Sequence, residues 1–212
     1  MKTTLRNLNW QISFAATLIV TLVMVALATA DAAPGERHPR VREVNRRFNN
    51  QQDRIAAGIK SGQLTAKETA NLETKEAALK NEERTFRLEN NGHLTRDEQV
   101  TLNKQENNLS AKIYSQKHDA QTTNTTPKSE VGARAENQQD RIAQGINSGQ
   151  LTATEAGRLE ARETALHNQI ATDRNANGGK LTDDERKQIN TELNGLSTRI
   201  YRQKHDDQTQ GH

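Results

Sequence analysis

The 212-residue chain has no cysteine, three prolines and only 3% aromatic residues. Without cysteine there is no disulfide framework and no thiolate metal site, so packing alone must hold any fold. Past residue 30 the aromatics are Phe48, Phe86, Tyr114 and Tyr201, too few for a row of base-stacking platforms. A one-sided charge is also missing: 30 basic residues are interleaved with 27 acidic ones. That mixture gives mixed surfaces instead of a phosphate-seeking stripe, and it argues against nucleic-acid binding. Large apolar residues are scarce too, since Leu, Ile, Val and Phe make up roughly 15 per cent of the chain after residue 30, a level normally found in disordered proteins. Their spacing argues for order.

The one long apolar run lies at the start. Lys2 and Arg6 precede an apolar stretch from Ile12 to Ala28 that ends in Ala28-Thr29-Ala30. A positive start, an apolar centre and small residues before the cut are what export machinery reads, so residues 1–30 form a signal peptide with cleavage after Ala30 or Ala32. An uncleaved anchor is the alternative, because the run almost reaches bilayer-spanning length. The leader's two basic residues and lack of acids mean that removing it lowers the formal net charge from +3 to about +1. The expected location is the periplasm or outside the cell, with no membrane attachment after cleavage.

What the chain does have is a repeat. Residues Asn50–Thr122 recur as Asn137–Thr209 at a constant offset of 87, and each copy contains Gly-x-Leu-Thr-x-x-Glu twice, 30 residues apart. A fixed period marks copies of one supersecondary unit. Within the first copy, Val41, Val44, Phe48, Ile55 and Ile59 share one face of a 3.6-residue helix. Leu72, Leu79 and Phe86 form a second seam, and Leu102, Leu109 and Ile113 a third, matched later by Ile189, Leu193, Leu196 and Ile200. The breaks carry their own chemistry. At Gly62, Thr65 and Glu68 a glycine able to turn left-handed ends one helix, and a capping box starts the next. Gly92, Thr95 and Glu98 repeat the device, as do Gly149, Thr152 and Glu155, and Gly179, Thr182 and Glu185. Such short connections make neighbouring helices antiparallel.

The expected fold is all-α: two copies of a three-helix antiparallel hairpin unit joined by a flexible linker. The expected boundaries are a tether at 31–43, the first unit at 44–119, a linker at 120–134, the second unit at 135–206 and a disordered tail at 207–212. The thin core leaves packing between the units, or between chains, as an alternative.

Three groups of residues invite a functional reading. Asp173-Arg174-Asn175-Ala176-Asn177-Gly178-Gly179-Lys180-Leu181-Thr182-Asp183-Asp184-Glu185 resembles an EF-hand loop, and the resemblance implies calcium. Carried over by position, Asp173, Asn175 and Asn177 match the first ligands and Glu185 the closing carboxylate. The loop has one residue more than that family's twelve, and capping accounts for Glu185 as well. At the first copy's breaks Arg87 and Ile59 occupy ligand positions, so calcium is not expected there. The second group is Ile113-Tyr114-Ser115-Gln116-Lys117-His118-Asp119 with its copy Ile200–Asp206. Lys117 and His118 suit a helix C-terminus, while His118, His205, Asp119 and Asp206 as transition-metal ligands would make an incomplete site. Tyr114 and Tyr201 are expected at the edge of the core. The third group is Asn50-Gln51-Gln52-Asp53-Arg54-Ile55, repeated from Asn137, whose polar identity points either to contacts between helices or to recent duplication.

No nucleophile elbow, phosphate loop or paired carboxylates in an apolar setting are evident, so an enzyme is not expected. The string Gln-Gln-Asp-Arg-Ile-x-x-Gly-Ile-x-Ser-Gly-Gln-Leu-Thr-x-x-Glu, closing with Ile-Tyr-x-Gln-Lys-His-Asp, resembles uncharacterised exported bacterial proteins with one or more copies. The resemblance covers nearly all of both units and implies export but no activity. The expected function is a non-enzymatic interaction or structural module of the cell envelope, whose partner is an unknown protein or envelope component, with a homo-oligomer as the other option. A weak calcium-binding module is the alternative.

Overall fold

Helix signals in the sequence become six helices in the computed structural model, which describes residues 38–123, 127 and 129–210. The expected signal peptide and most of the expected tether lie outside these residues, and the chain divides into Met1–Glu36 and Arg37–His212, of which only the second is described below. The helices are α1 (Pro39–Lys60), α2 (Ala66–Glu89), α3 (Arg96–Lys117), α4 (Glu130–Asn147), α5 (Ala153–Ala176) and α6 (Asp183–Gln203), with no strand among the described residues. The protein is all-α, and no described helix is long and apolar enough to cross a membrane.

The four expected breaks have the chemistry read from the sequence. Thr65, Thr95, Thr152 and Thr182 each accept from the backbone N–H three residues on, and Glu68, Glu98, Glu155 and Glu185 each reach back to the threonine N–H. Both reciprocal bonds of every box are therefore made. Gly62 and Gly149 take φ values of 69° and 70°. A second glycine explains the repeated Gly-Ile-x-Ser-Gly-Gln-Leu: the turn leucine lies over Gly58 or Gly145, where an added Cβ would come within 2.6 Å of Leu64 or Leu151 Cδ1.

Each repeat is a three-helix unit, α1–α3 or α4–α6, whose seam residues are buried except Phe86, which is half-buried against the core. The two units pack directly on each other, α2 against α5 and α1 against α4, which is the alternative of packing between units. Equivalent helices meet each other, so the repeats are related by a pseudo-two-fold arrangement. The α2–α5 seam is the most extensive helix contact in the molecule, and at Gly157 it is so close that a Cβ would lie 3.3 Å from that of Glu73.

Three boundaries differ from the expected ones. The first unit begins at Pro39, inside the expected tether, and Val41 is already buried in the core. The second unit begins at Glu130 instead of residue 135, because Ser129 caps the helix by accepting from Gly132 N–H at 3.2 Å and Val131 and Ala135 have core to cover. The tail is anchored up to Gln210: its N–H donates to Gly149 O at 2.9 Å and its side chain is buried. Thr123, the same position in the first repeat, donates to Gly62 O at 2.8 Å.

Candidate functional site

The α2 seam alternates residue types: Leu72, Glu76, Leu79, Glu83 and Phe86 recur at steps of four and three. Helix geometry therefore turns glutamates inward together with leucines. In the structure Glu73, Glu76, Glu160 and Glu163 all have 0% exposure, two from α2 and two from α5, as does Glu106 from α3. Paired carboxyl groups in an apolar setting are thus present, contrary to the sequence reading, which missed them because it followed only the apolar seam members.

The repeated Gln-Gln-Asp-Arg is the other half of this layer. Gln52 Nε2 donates to Glu73 Oε2 at 3.0 Å and Gln139 Nε2 to Glu160 Oε2 at 2.9 Å. Gln51 Nε2 donates to Glu106 O at 3.0 Å and Gln138 Nε2 to Leu193 O at 2.7 Å. Arg54 and Arg141 bind Ser110 and Ser197, with NH2 donating to the backbone carbonyls at 3.1 and 3.2 Å. The repeated polar string thus makes contacts between helices, with Arg54 and Arg141 each meeting a serine of the third helix. Gln210 crosses from the second repeat into the first, where Nε2 donates to Gln52 Oε1 at 2.9 Å and Oε1 accepts from Lys80 Nζ.

The supply of partners stops short of the acids. Both carboxyl oxygens of Glu76 and of Glu163, and one oxygen each of Glu73, Glu106 and Glu160, have no hydrogen-bond partner. A buried carboxylate left this way costs several kcal/mol, so the neutral form is favoured. Burial pushes Glu73 up to about 8, against Gln52 and Lys80, which lower it. Burial likewise raises Glu163 to about 8. Glu76 lies well above the carboxylate range through burial, then the nearby Glu73 and Glu106, with Lys80 opposing. Glu160 is raised by burial and by Glu163 and Glu73, with Gln139 opposing. The counter-charges differ between repeats. Lys80 is lowered by burial despite Glu76, Glu73 and Glu83, and its counterpart His167, 3.8 Å from Glu163, is lowered by burial.

The expected calcium residues are placed elsewhere. Asp173 and Asn175 sit in the last turns of α5, and Asn177 caps it. Asn177 Nδ2 donates to both carboxyl oxygens of Glu185, at 2.9 and 2.8 Å, and to Asp173 O at 2.8 Å. Of the four, the structure joins Asn177 and Glu185, with the asparagine presenting a donor instead of a ligand oxygen. The first repeat makes the same contacts through Asn90 and Glu98, at 2.8 and 3.1 Å. No three His, Cys, Asp or Glu gather in metal-binding geometry among the described residues.

The Ile-Tyr-x-Gln-Lys-His-Asp motifs end α3 and α6 as local caps. His118 and His205 bond Tyr114 O and Tyr201 O through Nδ1 at 2.7 Å, and their rings stack on Tyr114 and Tyr201 with centroids 4.2 Å apart. Asp119 and Asp206 accept from the N–H groups of Gln121 and Gln208 at 2.8 and 3.0 Å. The tyrosines are exposed, not at the core edge, because each directly follows a buried isoleucine, Ile113 or Ile200, and so lies about 100° round the helix from the seam.

No family model, curated protein or solved structure matches this chain.

Proposed function

We propose that the protein is a non-enzymatic exported module of the cell envelope, structural or partner-binding, whose compact state is favoured by acid. The carrying observation is the sealed carboxyl layer on the α2–α5 seam. Strongly perturbed acids usually mark a site of chemistry, but Glu73, Glu76, Glu160 and Glu163 have no surface for a substrate to reach. Their protonation state acts on the fold. An exported protein meets external pH without cytoplasmic buffering, so such a layer links shape to surroundings.

The sign follows from linkage. A carboxyl held near 8 in the fold and near 4.5 in the unfolded chain gives its full contribution below 4.5. That contribution drains away as pH rises to 8, by up to about 1.4 kcal/mol per pH unit per group. His167 runs the other way, since a lowered imidazole loses stability as pH falls through its ordinary value of 6.5. Lys80, likewise lowered, opposes the acids from the alkaline side. Thermal melting from about pH 5.5 to 8 tests the proposal: the midpoint should fall on the alkaline side, and Glu76→Gln with Glu163→Gln should flatten the fall. A midpoint that rises with pH, or a slope unchanged in the double variant, would remove the reading.

A further inference from the structure

The second repeat contains eight arginines: 134, 141, 158, 162, 174, 186, 199 and 202. Four are held. Arg134 bonds Asn190 at 2.7 Å, Arg141 bonds Ser197, Arg174 bonds Ser129 at 3.2 Å, and Arg186 pairs with Asp183 at 3.5 Å. Arg158, Arg162, Arg199 and Arg202 are exposed, make no hydrogen bond or ion pair among the described residues, and all border one groove of about 580 Å³ between α5 and α6. Charge is thus mixed over the chain as a whole but not here.

The first repeat shows that the fold does not require this cluster. At the equivalent positions of the α2–α3 groove it carries Asn71, Lys75, Lys112 and Ser115, two cations in place of four. The second repeat has exchanged every one of them for arginine, whose planar fork binds carboxylates bidentately. Four unpaired guanidinium groups along one groove repel each other, and an anionic occupant relieves that repulsion.

The floor narrows the occupant. Between the arginines lie Ala161 and Ala165, and a second opening continues the groove past Gly195 towards Glu192. A Cβ added at Gly195 would meet nothing within 4 Å, so there is free room above it. Small apolar floor residues let another backbone approach closely, which a phosphate polymer has no use for. Along α5 the groove runs from Arg158 to Gln169 and along α6 from Glu192 to Gln203. At 1.5 Å per residue that is roughly 17 Å, about three helical turns. Glu192, held by Gln188 Nε2 at 3.1 Å, puts an acid at one end and so gives the groove a direction.

We propose that the α5–α6 groove is a docking site for an acidic amphipathic helix of a protein partner, with its carboxylates on the four arginines and its small apolar face on Ala161, Ala165 and Gly195. This deepens the reading of a partner-binding module, and its test is separate from the pH experiment. The probe is a synthetic peptide of about 14 residues, four turns, with Glu at i and i+4 on one face and Ala on the other. Its controls are the Lys-for-Glu reversal and anionic phospholipid vesicles. The purified chain should bind the acidic peptide in a salt-sensitive manner and ignore the reversal. Arg158→Asn, Arg162→Lys, Arg199→Lys and Arg202→Ser together install the first repeat's own residues. They should weaken binding roughly tenfold with melting and its pH slope unchanged. Equal affinity in wild type and variant, no acidic-peptide binding at low salt, or arginine-dependent capture by vesicles without the peptide would each overturn the proposal.

Discussion

Where the first repeat buries Glu106 on its third helix, the second buries Leu193, and where the first has Glu83 the second has Ile170. The neighbouring arginines adapt. Arg47 Nε pairs with Glu106 Oε2 while NH2 reaches Asn103 O at 3.3 Å, whereas Arg134 turns to Asn190 and Asn194. The first repeat offsets this charge with a large hydrophobe, Phe48, packed below Lys80 Nζ at 5.4 Å from the ring centroid, where the second repeat has Ala135. Consequently the core of the first repeat is continuous, whereas the second is cut into two clusters, with Gln138, Gln139, Glu160 and Glu163 between them. One skeleton thus tolerates two interiors, provided that the caps and the central polar layer are kept.

The largest test of that contrast removes the bridging ring. Phe48→Ala gives the first repeat the second's residue, and it should cost about 3–5 kcal/mol in chemical denaturation because the pocket is closed on all sides. A single transition should persist, since α2 and α5 fold as parts of one seam. Two separated transitions would show that the repeats fold independently.

A smaller effect is expected from Glu106→Leu, which gives the first repeat the second's apolar residue. Burial raises Glu106 to about 7, with Arg47 opposing and Glu43 adding to the rise. Its contribution is therefore complete below 4.5 and lost as pH approaches 7. Replacing a buried pair with a well-fitting hydrophobe is often stabilising, and Arg134 shows that the arginine has neutral partners available. The variant should gain roughly 1–2 kcal/mol at pH 8, little at pH 4.5, and lose part of the slope between them. A net loss at pH 8 would mean that Arg47 needs its carboxylate.

How far the sequence revealed this follows from which interactions are local. Caps depend on residues three apart, so Thr65 with Glu68 and its three copies were legible, as were the helices between them. The seams were legible through Leu72, Leu79, Leu102 and Ile113. Glu73 and Glu160 were not, because an isolated glutamate on a helix reads as a solvated face. Only the approach of α5 to α2 at Gly157 removes its water. The four groove arginines were hidden for a similar reason: they lie on two helices 40 residues apart in the chain, and only the α5–α6 hairpin makes them neighbours. At Asp173–Glu185 the spacing resembled a ligand loop, but the helix continues to Ala176 and carries the first two positions on its last turns.

The smallest expected effect separates the two kinds of glutamate that both repeats share. Glu98 and Glu185 are held below the usual carboxylate range, Glu98 chiefly by the Thr95 backbone N–H and Glu185 by that of Thr182, with further help from Asn90 and Asn177. A lowered carboxyl gives stability that is present above 4.5 and lost as pH falls through its folded value, opposite in sign to Glu73 and Glu163. Stability should therefore pass through a maximum on the acid side, with the sealed layer setting the alkaline slope and the open caps the acid one. Thr95→Ala and Thr182→Ala should each cost about 1 kcal/mol near neutral pH, since the cap side chain is the same in both repeats. Each removes the side-chain hydroxyl but keeps the backbone N–H that chiefly holds the carboxyl down, so the acid limb should shallow slightly while the alkaline limb stays in place. If millimolar calcium restored Thr182→Ala but not Thr95→Ala, the two loops would differ in a way that their matching hydrogen bonds do not account for, and Asp173, Asn175, Asn177 and Glu185 would have to be read as ligands after all.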